Sequence, residues 1–382
     1  MKLTKKRICV VSSSRADYSH LYLLMKKLKE HPKVDFKLVV TGMHTISKYG
    51  NTKKQFLDDG FKISDSIDNN QKNTSASDIL LSIGTQLSKT YDVLKKINPD
   101  VIIILGDRYD IFPIAIAAHV MQIPLAHIAG GELTYGAIDD GIRHCISKLA
   151  NFHFVANKKF KSRLINMGEK PSSVFNVGSL GVQSLKNIKK IDVREKYKIK
   201  SGSKYFLICL HPQTIDYDNQ KAILNIIKAV DKYKDYHLIF SRPNSDTSSD
   251  IIHNRIMKYA NKNIRVSVIN SAGREDFINL LRYSSCIIGN SSSGIIEAPY
   301  LQIPTVNIGL RQKGRPLSST VIQCSDSISE IDKSIRKSQS KIFLKKKLIL
   351  AYEGRNSTNK IVNVLLKANK SKIIMKEFYD II

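Results

Sequence analysis

Three acidic side chains in the first half of the chain each stand close behind a short apolar run. Asp107 lies in Gly106-Asp107-Arg108, directly after the apolar stretch 101–105. Glu132 closes the segment His127-Ile-Ala-Gly-Gly-Glu132, which follows the run 125–128. Asp139 opens a segment in which Asp140, Arg143 and His144 fall at i, i+3 and i+4, one face of a helix. Carboxylates delivered to one sheet end raise each other's pKa, so acid and base roles become available near neutral pH. Structural ion pairing is the competing reading. The two glycines before Glu132 allow a tight backbone bend that carries its side chain inward. The spacing matches no metal motif, so no metal is expected.

A second group of residues suits an anion. After the first apolar run comes Ser12-Ser-Ser-Arg15-Ala-Asp-Tyr-Ser19. It lacks GxGxxG, which argues against a dinucleotide cofactor. A helix N-terminus with a forked donor, Arg15, and the hydroxyl of Ser19 suits a diphosphate. A plain Ser/Asp helix cap explains the same residues equally well. In the second half, apolar runs lead into His211-Pro-Gln-Thr214, into Ser241-Arg-Pro-Asn244-Ser-Asp246, and into Gly289-Asn-Ser291-Ser292-Ser293-Gly-Ile-Ile-Glu297. The last is the most specific. A small-residue loop that opens a helix cradles phosphate oxygens with backbone N–H groups. Glu297, one turn further in, can accept two ribose hydroxyls. A surface Ser/Gly loop is the alternative, weakened by the apolar run before it and the apolar helix after it.

The elements needed to position these residues are legible. Apolar runs at 8–11, 35–40, 101–105, 125–128, 154–156 and 174–177 read as strands. Helical patterns lie between them, as in Leu21, Leu24, Met25 and Leu28. After a lysine-rich stretch the alternation restarts, with strands at 205–210, 237–240, 265–269, 286–288 and 305–308. Helices are expected at 220–233, 277–283, 294–300 and 327–338. Such alternation means βαβ units and parallel sheets covered on both faces. The expected fold is two doubly wound α/β domains, 1–185 and 205–360, joined by a linker at 186–204, with a helical tail at 361–382. Ligands bind beyond the carboxyl ends of such strands, so two domains facing across a cleft would place the site between them.

Composition narrows the class. The chain has 382 residues, 42% of them hydrophobic, which suits two cores of ordinary size. No apolar run approaches the roughly 20 residues that span a bilayer. The N-terminus has no long apolar region and no cleavage site, so a cytoplasmic enzyme is expected. Five scattered cysteines without CxxC read as reduced, buried thiols. The net charge of +28 invites a nucleic-acid partner. The lysines, however, are spread along the chain on polar helix faces, and no nucleic-acid motif accompanies them. Solvated surface lysine is the simpler reading, with attraction of an anionic nucleotide sugar or a membrane surface as the other.

Taken together, SRADYSHL, VTGMH, GDRYD, HIAGGE, IDDGIRH, GNSSSGIIEAP and NIGLRQKGR resemble the hydrolysing UDP-N-acetylglucosamine 2-epimerases of bacterial sialic-acid synthesis. The resemblance runs from about residue 7 to 320 in matching order. It implies a GT-B-like architecture whose C-terminal helix crosses back to the first domain. It also implies that Arg15, Ser19, Arg108, His211, Asn244, Asp246, Ser291, Ser292, Glu297 and Arg315 hold UDP. Asp107, Glu132 and Asp139 would carry the chemistry, supported by Asp140, Arg143 and His211. The implied partners are a UDP-sugar and UDP, with no cofactor, in a homodimer or homotetramer. A diacetamido-trideoxy sugar nucleotide is the alternative substrate, and a GT-B glycosyltransferase or a nucleotide-sugar sensor the alternative class.

Overall fold

The computed structural model describes residues 5–46, 52–69, 75–135, 137–200, 202–213, 217–243, 249–269, 272–354, 356–368 and 375–381. The chain divides into two compact units. The first comprises Met1–Glu132, Asp139–Ser184 and Glu353–Ile382; the second comprises Leu133–Ile138 and Leu185–Tyr352.

Among the described residues, the first unit holds seven strands: β1 (Lys6–Ser12), β2 (Val34–Val40), β3 (Asp65–Ser66), β4 (Val101–Leu105), β5 (Leu125–Ile128), β6 (Phe152–Val155) and β7 (Val174–Asn176). They form one sheet in the order β3-β2-β1-β4-β5-β6-β7, and every neighbouring pair is parallel. Its helices are α1 (Arg15–Glu30), α2 (Thr52–Asp58), α3 (Ala76–Ile97), α4 (Phe112–Val120), α5 (Asp139–Leu149), α6 (Lys158–Asn166) and α7 (Leu180–Leu185). Because both faces are covered, β1 and β4 read as continuous apolar runs, with Ile8 to Val11 and Val101 to Ile104 buried. Leu21, Leu24, Met25 and Leu28 of α1 pack one face, and Leu94 and Ile97 of α3 pack the other.

The second unit repeats this plan. Its strands are β8 (Tyr205–Cys209), β9 (His237–Ser241), β10 (Val266–Ile269), β11 (Cys286–Gly289), β12 (Thr305–Ile308) and β13 (Val321–Cys324). They are parallel, in the order β10-β9-β8-β11-β12-β13. The helices are α8 (Asn219–Val230), α9 (Ser249–Ala260), α10 (Arg274–Tyr283), α11 (Ser292–Tyr300), α12 (Ile328–Ser338) and α13 (Lys341–Leu344). Two parallel-sheet α/β units are the expected fold class. Among the described residues, no helix is long and apolar enough to cross a membrane.

The structure differs from the sequence reading in particular places. The stretch 186–204 is not a bare tether: Val193 and Ile199 are buried with Tyr205 and Leu207 of β8. Lysine-rich composition conceals these two anchors. Cys145 is exposed, whereas Cys9, Cys209, Cys286 and Cys324 are buried. The exposed thiol departs from the expectation because it lies on α5, outside any strand. Burial pushes the Cys9, Cys209 and Cys286 thiols up to about 12.

The chain returns to the first unit at Glu353, earlier than the expected tail. Helix α14 (Ser357–Lys367) then seats Ile361, Val362 and Leu365 in the core beside α1. Lys6 reaches its last turn, donating to the Leu365 carbonyl at 2.8 Å. Further on, the Lys376 ammonium donates to the carbonyls of Ser147, Lys148 and Ala150 at 3.2, 2.6 and 2.8 Å. These groups form the negative end of α5, where a cation is stabilising. Lys376 also pairs with buried Glu169 at 2.7 Å, and Glu169 takes His153 Nε2 and Lys148 Nζ at 2.8 Å each.

Burial works to raise the Glu169 carboxyl, but the hydrogen bonds from His153, Lys148 and Lys376 outweigh it and hold it at about 2. A depressed carboxyl contributes stability that is present above its unfolded pKa and lost as pH falls through the folded one. The cluster should therefore contribute about 3 kcal/mol at pH 7, fading between pH 4.5 and 2. Urea unfolding of Glu169→Gln against the parent is expected to show a gap of that order at pH 7. The gap should narrow at about pH 3; a difference unchanged between the two pH values contradicts this account.

Candidate active site

In a doubly wound sheet the strand order reverses at one position, and the loops there diverge to leave a crevice at the carboxyl ends. In the first unit that position lies between β1 and β4. Ser13 to Arg15 follow β1, and Gly106 to Arg108 follow β4. In the second unit it lies between β8 and β11. His211 follows β8, and Asn290 to Ser293 follow β11. Residues selected by type and spacing thus fall at the reversal point of their own sheet.

The first unit joins four of the expected residues in one charged set. Arg143 of α5 is 2% exposed and contacts the Asp107 carboxylate directly. The same guanidinium stands 3.9 Å from Asp140, and His144 Nε2 stands 3.7 Å from it. Burial pulls the His144 imidazole below its ordinary pKa, against the attraction of Asp140. Asp139 begins α5 and is half-buried, and Glu132 is buried on the loop after β5. Asp107, Glu132 and Asp139 therefore all occupy the carboxyl edge of one sheet.

The loop after β1 shows a cap. Ser14 is the N-cap of α1 and accepts from the Asp17 amide at 3.4 Å. Buried Asp17 in turn takes the Ser13 amide at 2.6 Å and the Ser13 and Ser14 hydroxyls. Behind it, His44 Nε2 lies 3.0 Å from Ser12 Oγ and Nδ1 lies 2.9 Å from Thr52 Oγ1. Burial lowers the His44 pKa to about 4, so this imidazole is neutral. Arg15 and Ser19 are half-buried on the first turns of α1. Arg108 donates Nε to buried Asp110 at 2.9 Å.

In the second unit Asn290 organises the loops. Its side chain takes the His211 amide at 2.7 Å and donates to the His211 carbonyl at 2.8 Å. Its own carbonyl accepts from Gln312 Nε2 at 2.8 Å and from Arg311 at 3.1 Å. Ser291 caps α11, accepting from the Ser293 amide at 3.3 Å. Ser292 and Ser293 open that helix, and Glu297 is buried on its second turn. Gly289 permits the geometry: φ is 134°, and a Cβ there would lie 2.1 Å from the Cys209 carbonyl oxygen. Arg315 donates Nε to the Leu133 carbonyl at 3.0 Å and lies 3.5 Å from Thr134 Oγ1. Asn244 and Asp246 lie outside the described residues.

The Ser/Asp cap read from the sequence is the Ser14–Asp17 cap seen here. Sequence reasoning passed over His44, Asp110 and Asn290. Asn290 stood inside a segment already selected for its serines. His44 acts through a contact 32 positions away, which no local spacing reveals, whereas Asp110 stands two residues from Arg108 inside GDRYD.

The chain as a whole is similar to other proteins. A family model described as UDP-N-acetylglucosamine 2-epimerase matches residues 26–366. The chain is 37% identical to a polysialic acid biosynthesis protein of Escherichia coli, over 98% of each chain. It is 34% identical to a hydrolysing GDP/UDP-N,N'-diacetylbacillosamine 2-epimerase of Campylobacter jejuni, over 99% of this chain and 100% of that one. Among solved structures, the UDP-GlcNAc 2-epimerase from Neisseria meningitidis, bound to UDP-GlcNAc, superposes with a TM-score of 0.81. That match has 20% identity and covers 95% of this chain and 100% of the other, which establishes the GT-B-like fold.

The ion pairs differ in burial, and stability should follow. Asp107→Asn leaves the Arg143 guanidinium, 2% exposed, beside a neutral amide. A loss of about 2–3 kcal/mol is expected. Asp140→Asn touches a 3.9 Å pair whose carboxylate is 26% exposed, and under about 1 kcal/mol is expected. Thermal unfolding of both variants checks the ranking; equal shifts contradict it.

Proposed function

The chain belongs to the UDP-N-acetylglucosamine 2-epimerase family, and from that premise we propose that it is a hydrolysing member. It converts UDP-N-acetylglucosamine and water to N-acetylmannosamine and UDP. A base removes the proton from carbon 2 while UDP departs anti from carbon 1, leaving a 2-acetamidoglucal. Water then adds at carbon 1, and a proton returns to carbon 2 from the opposite face. Two proton-handling groups are needed, one for each face of the ring. Asp107, Glu132 and Asp139 are the candidates, with Asp140, Arg143 and His211 in support.

The observation that carries this reading is the carboxylate set at one sheet edge, with Asp107 held by buried Arg143. A transferase that keeps the carbon 2 configuration needs a single base. UDP leaves as an anion, so positive charge and helix amides at its phosphates stabilise the transition state. Arg15, Ser19, Arg108, Ser291, Ser292, Ser293, Glu297 and Arg315 are assigned to UDP, with Asn244 and Asp246 assigned by resemblance alone. The proposal calls on no cofactor or metal. We place the reaction in the cytoplasm, in a sialic-acid-type pathway, in a homodimer or homotetramer.

A second substrate is favoured by one observation, the 34% identity over full length to an epimerase named for diacetylbacillosamine. The test is incubation with each UDP-sugar in heavy water, followed by NMR of the free sugar. N-acetylmannosamine carrying deuterium at carbon 2 is expected. Release with an unlabelled carbon 2 removes the mechanism. Turnover of the diacetamido substrate alone transfers the assignment to it. No turnover without an added acceptor favours a glycosyltransferase. Glu132→Gln should lower kcat by roughly 100-fold or more while UDP binding persists.

A further inference from the structure

His127 belongs to a segment singled out in the sequence, yet no role in the chemistry falls to it. It sits at the third position of β5, fully buried. Its Nε2 lies 2.7 Å from the Gly106 carbonyl, and its Nδ1 lies 3.1 Å from Ser147 Oγ. A carbonyl only accepts, so Nε2 carries the proton and Nδ1 accepts from the serine hydroxyl. Burial pushes the imidazole down to about 3, helped by the nearby charges of His153, His144 and Lys376; only the Gly106 carbonyl pulls the other way. The ring is therefore a fixed, neutral donor and acceptor.

The two bonds close a circuit. Gly106 precedes Asp107 in the chain. Asp107 contacts Arg143, and Ser147 follows Arg143 by one turn on the same face of α5. The path from Asp107 through Arg143, α5, Ser147, His127 and Gly106 returns to Asp107. The loop leading to Glu132 packs on this circuit. A Cβ on Gly130 would lie 2.8 Å from Ser147 Oγ and 3.0 Å from His127 Nδ1. Ala129, between His127 and Gly130, adopts φ of 67°, a left-handed conformation that a non-glycine residue holds only where its surroundings impose it.

We propose that His127 is a positioning residue: by bridging the Gly106 carbonyl to the Ser147 hydroxyl it fixes the Asp107 loop against α5. The proposal rests on the functional reading above. Misplacing a reacting group by about an ångström lowers turnover by roughly 100-fold without comparable loss of binding. His127→Leu should therefore lower kcat between about 10- and 100-fold with KM within about 3-fold. His127→Gln, whose amide donor reaches the Nε2 position, should recover most of that loss. Ser147→Ala removes one arm of the bridge and should lower kcat several-fold. Hydrogen exchange of the amides at 106–108 should quicken in His127→Leu and stay near the parent rate in His127→Gln.

A folded leucine variant with kcat within about 2-fold of the parent overturns the proposal. So does a glutamine variant no better than leucine, or unchanged exchange at 106–108. If the leucine variant does not fold, Ser147→Ala decides, and parental kcat in it overturns the proposal. A parent protein that releases UDP from neither sugar nucleotide defeats the functional reading instead. The exchange measurement then judges the bridge by itself.

Discussion

A guanidinium almost wholly removed from water cannot stand without a carboxylate beside it, and in this chain that requirement ties helix α5 to the end of strand β4. Arg143 is 2% exposed and rests against Asp107. Leaving a charge buried and unmatched is among the most destabilising changes a fold can suffer. The pair therefore sets both the rotation of α5 and the path of the 106–108 loop. Asp139, Asp140 and His144 are placed as a consequence, because they share that helix. The parallel sheet supplies the rest: it gathers the ends of β4 and β5 on one edge, with Leu105 beside Ile128 in register, so the loops that follow start side by side.

The two units apply one rule with different residues. Each has its strand reversal beside the first strand of the unit, and each places its polar loops there. The first surrounds that point with buried acids and an arginine. The second surrounds it with small residues, an asparagine that ties two loops, and a helix N-terminus. Asn290 does for the second unit what Asp17 does for the first. Each is a buried polar side chain that satisfies the backbone of a turn whose own groups have no ladder partners.

The alternation of apolar runs and helical faces made the architecture readable, because parallel strands covered on both faces leave an unbroken apolar signature. The candidate carboxylates were readable for the same reason: they trail those runs. What escaped was short or sparsely apolar. Strand β3 has two residues, and β13 buries only two of its four. Helix α9 carries its buried Ile252 and Ile256 amid polar neighbours. Partners such as His44 for Ser12, or Lys376 for Glu169, were beyond reach because nothing in local spacing records a contact across 32 or 207 positions. Asp107 and Glu132 on their loops and Arg143 on α5 could be chosen as candidates from sequence; the groups packed behind them could not.

The first unit is discontinuous, and this has a consequence for biogenesis. During translation its sheet is complete once β7 has emerged, yet Ile361, Val362 and Leu365 are still missing from the face beside α1. The nascent chain must synthesise the whole of residues 185–352 before α14 can cover that surface. Until then the core cluster beside α1 lacks the three apolar side chains that complete it in the folded chain. The second unit, inserted between the parts of the first, is thus translated in full before α14 can join the first.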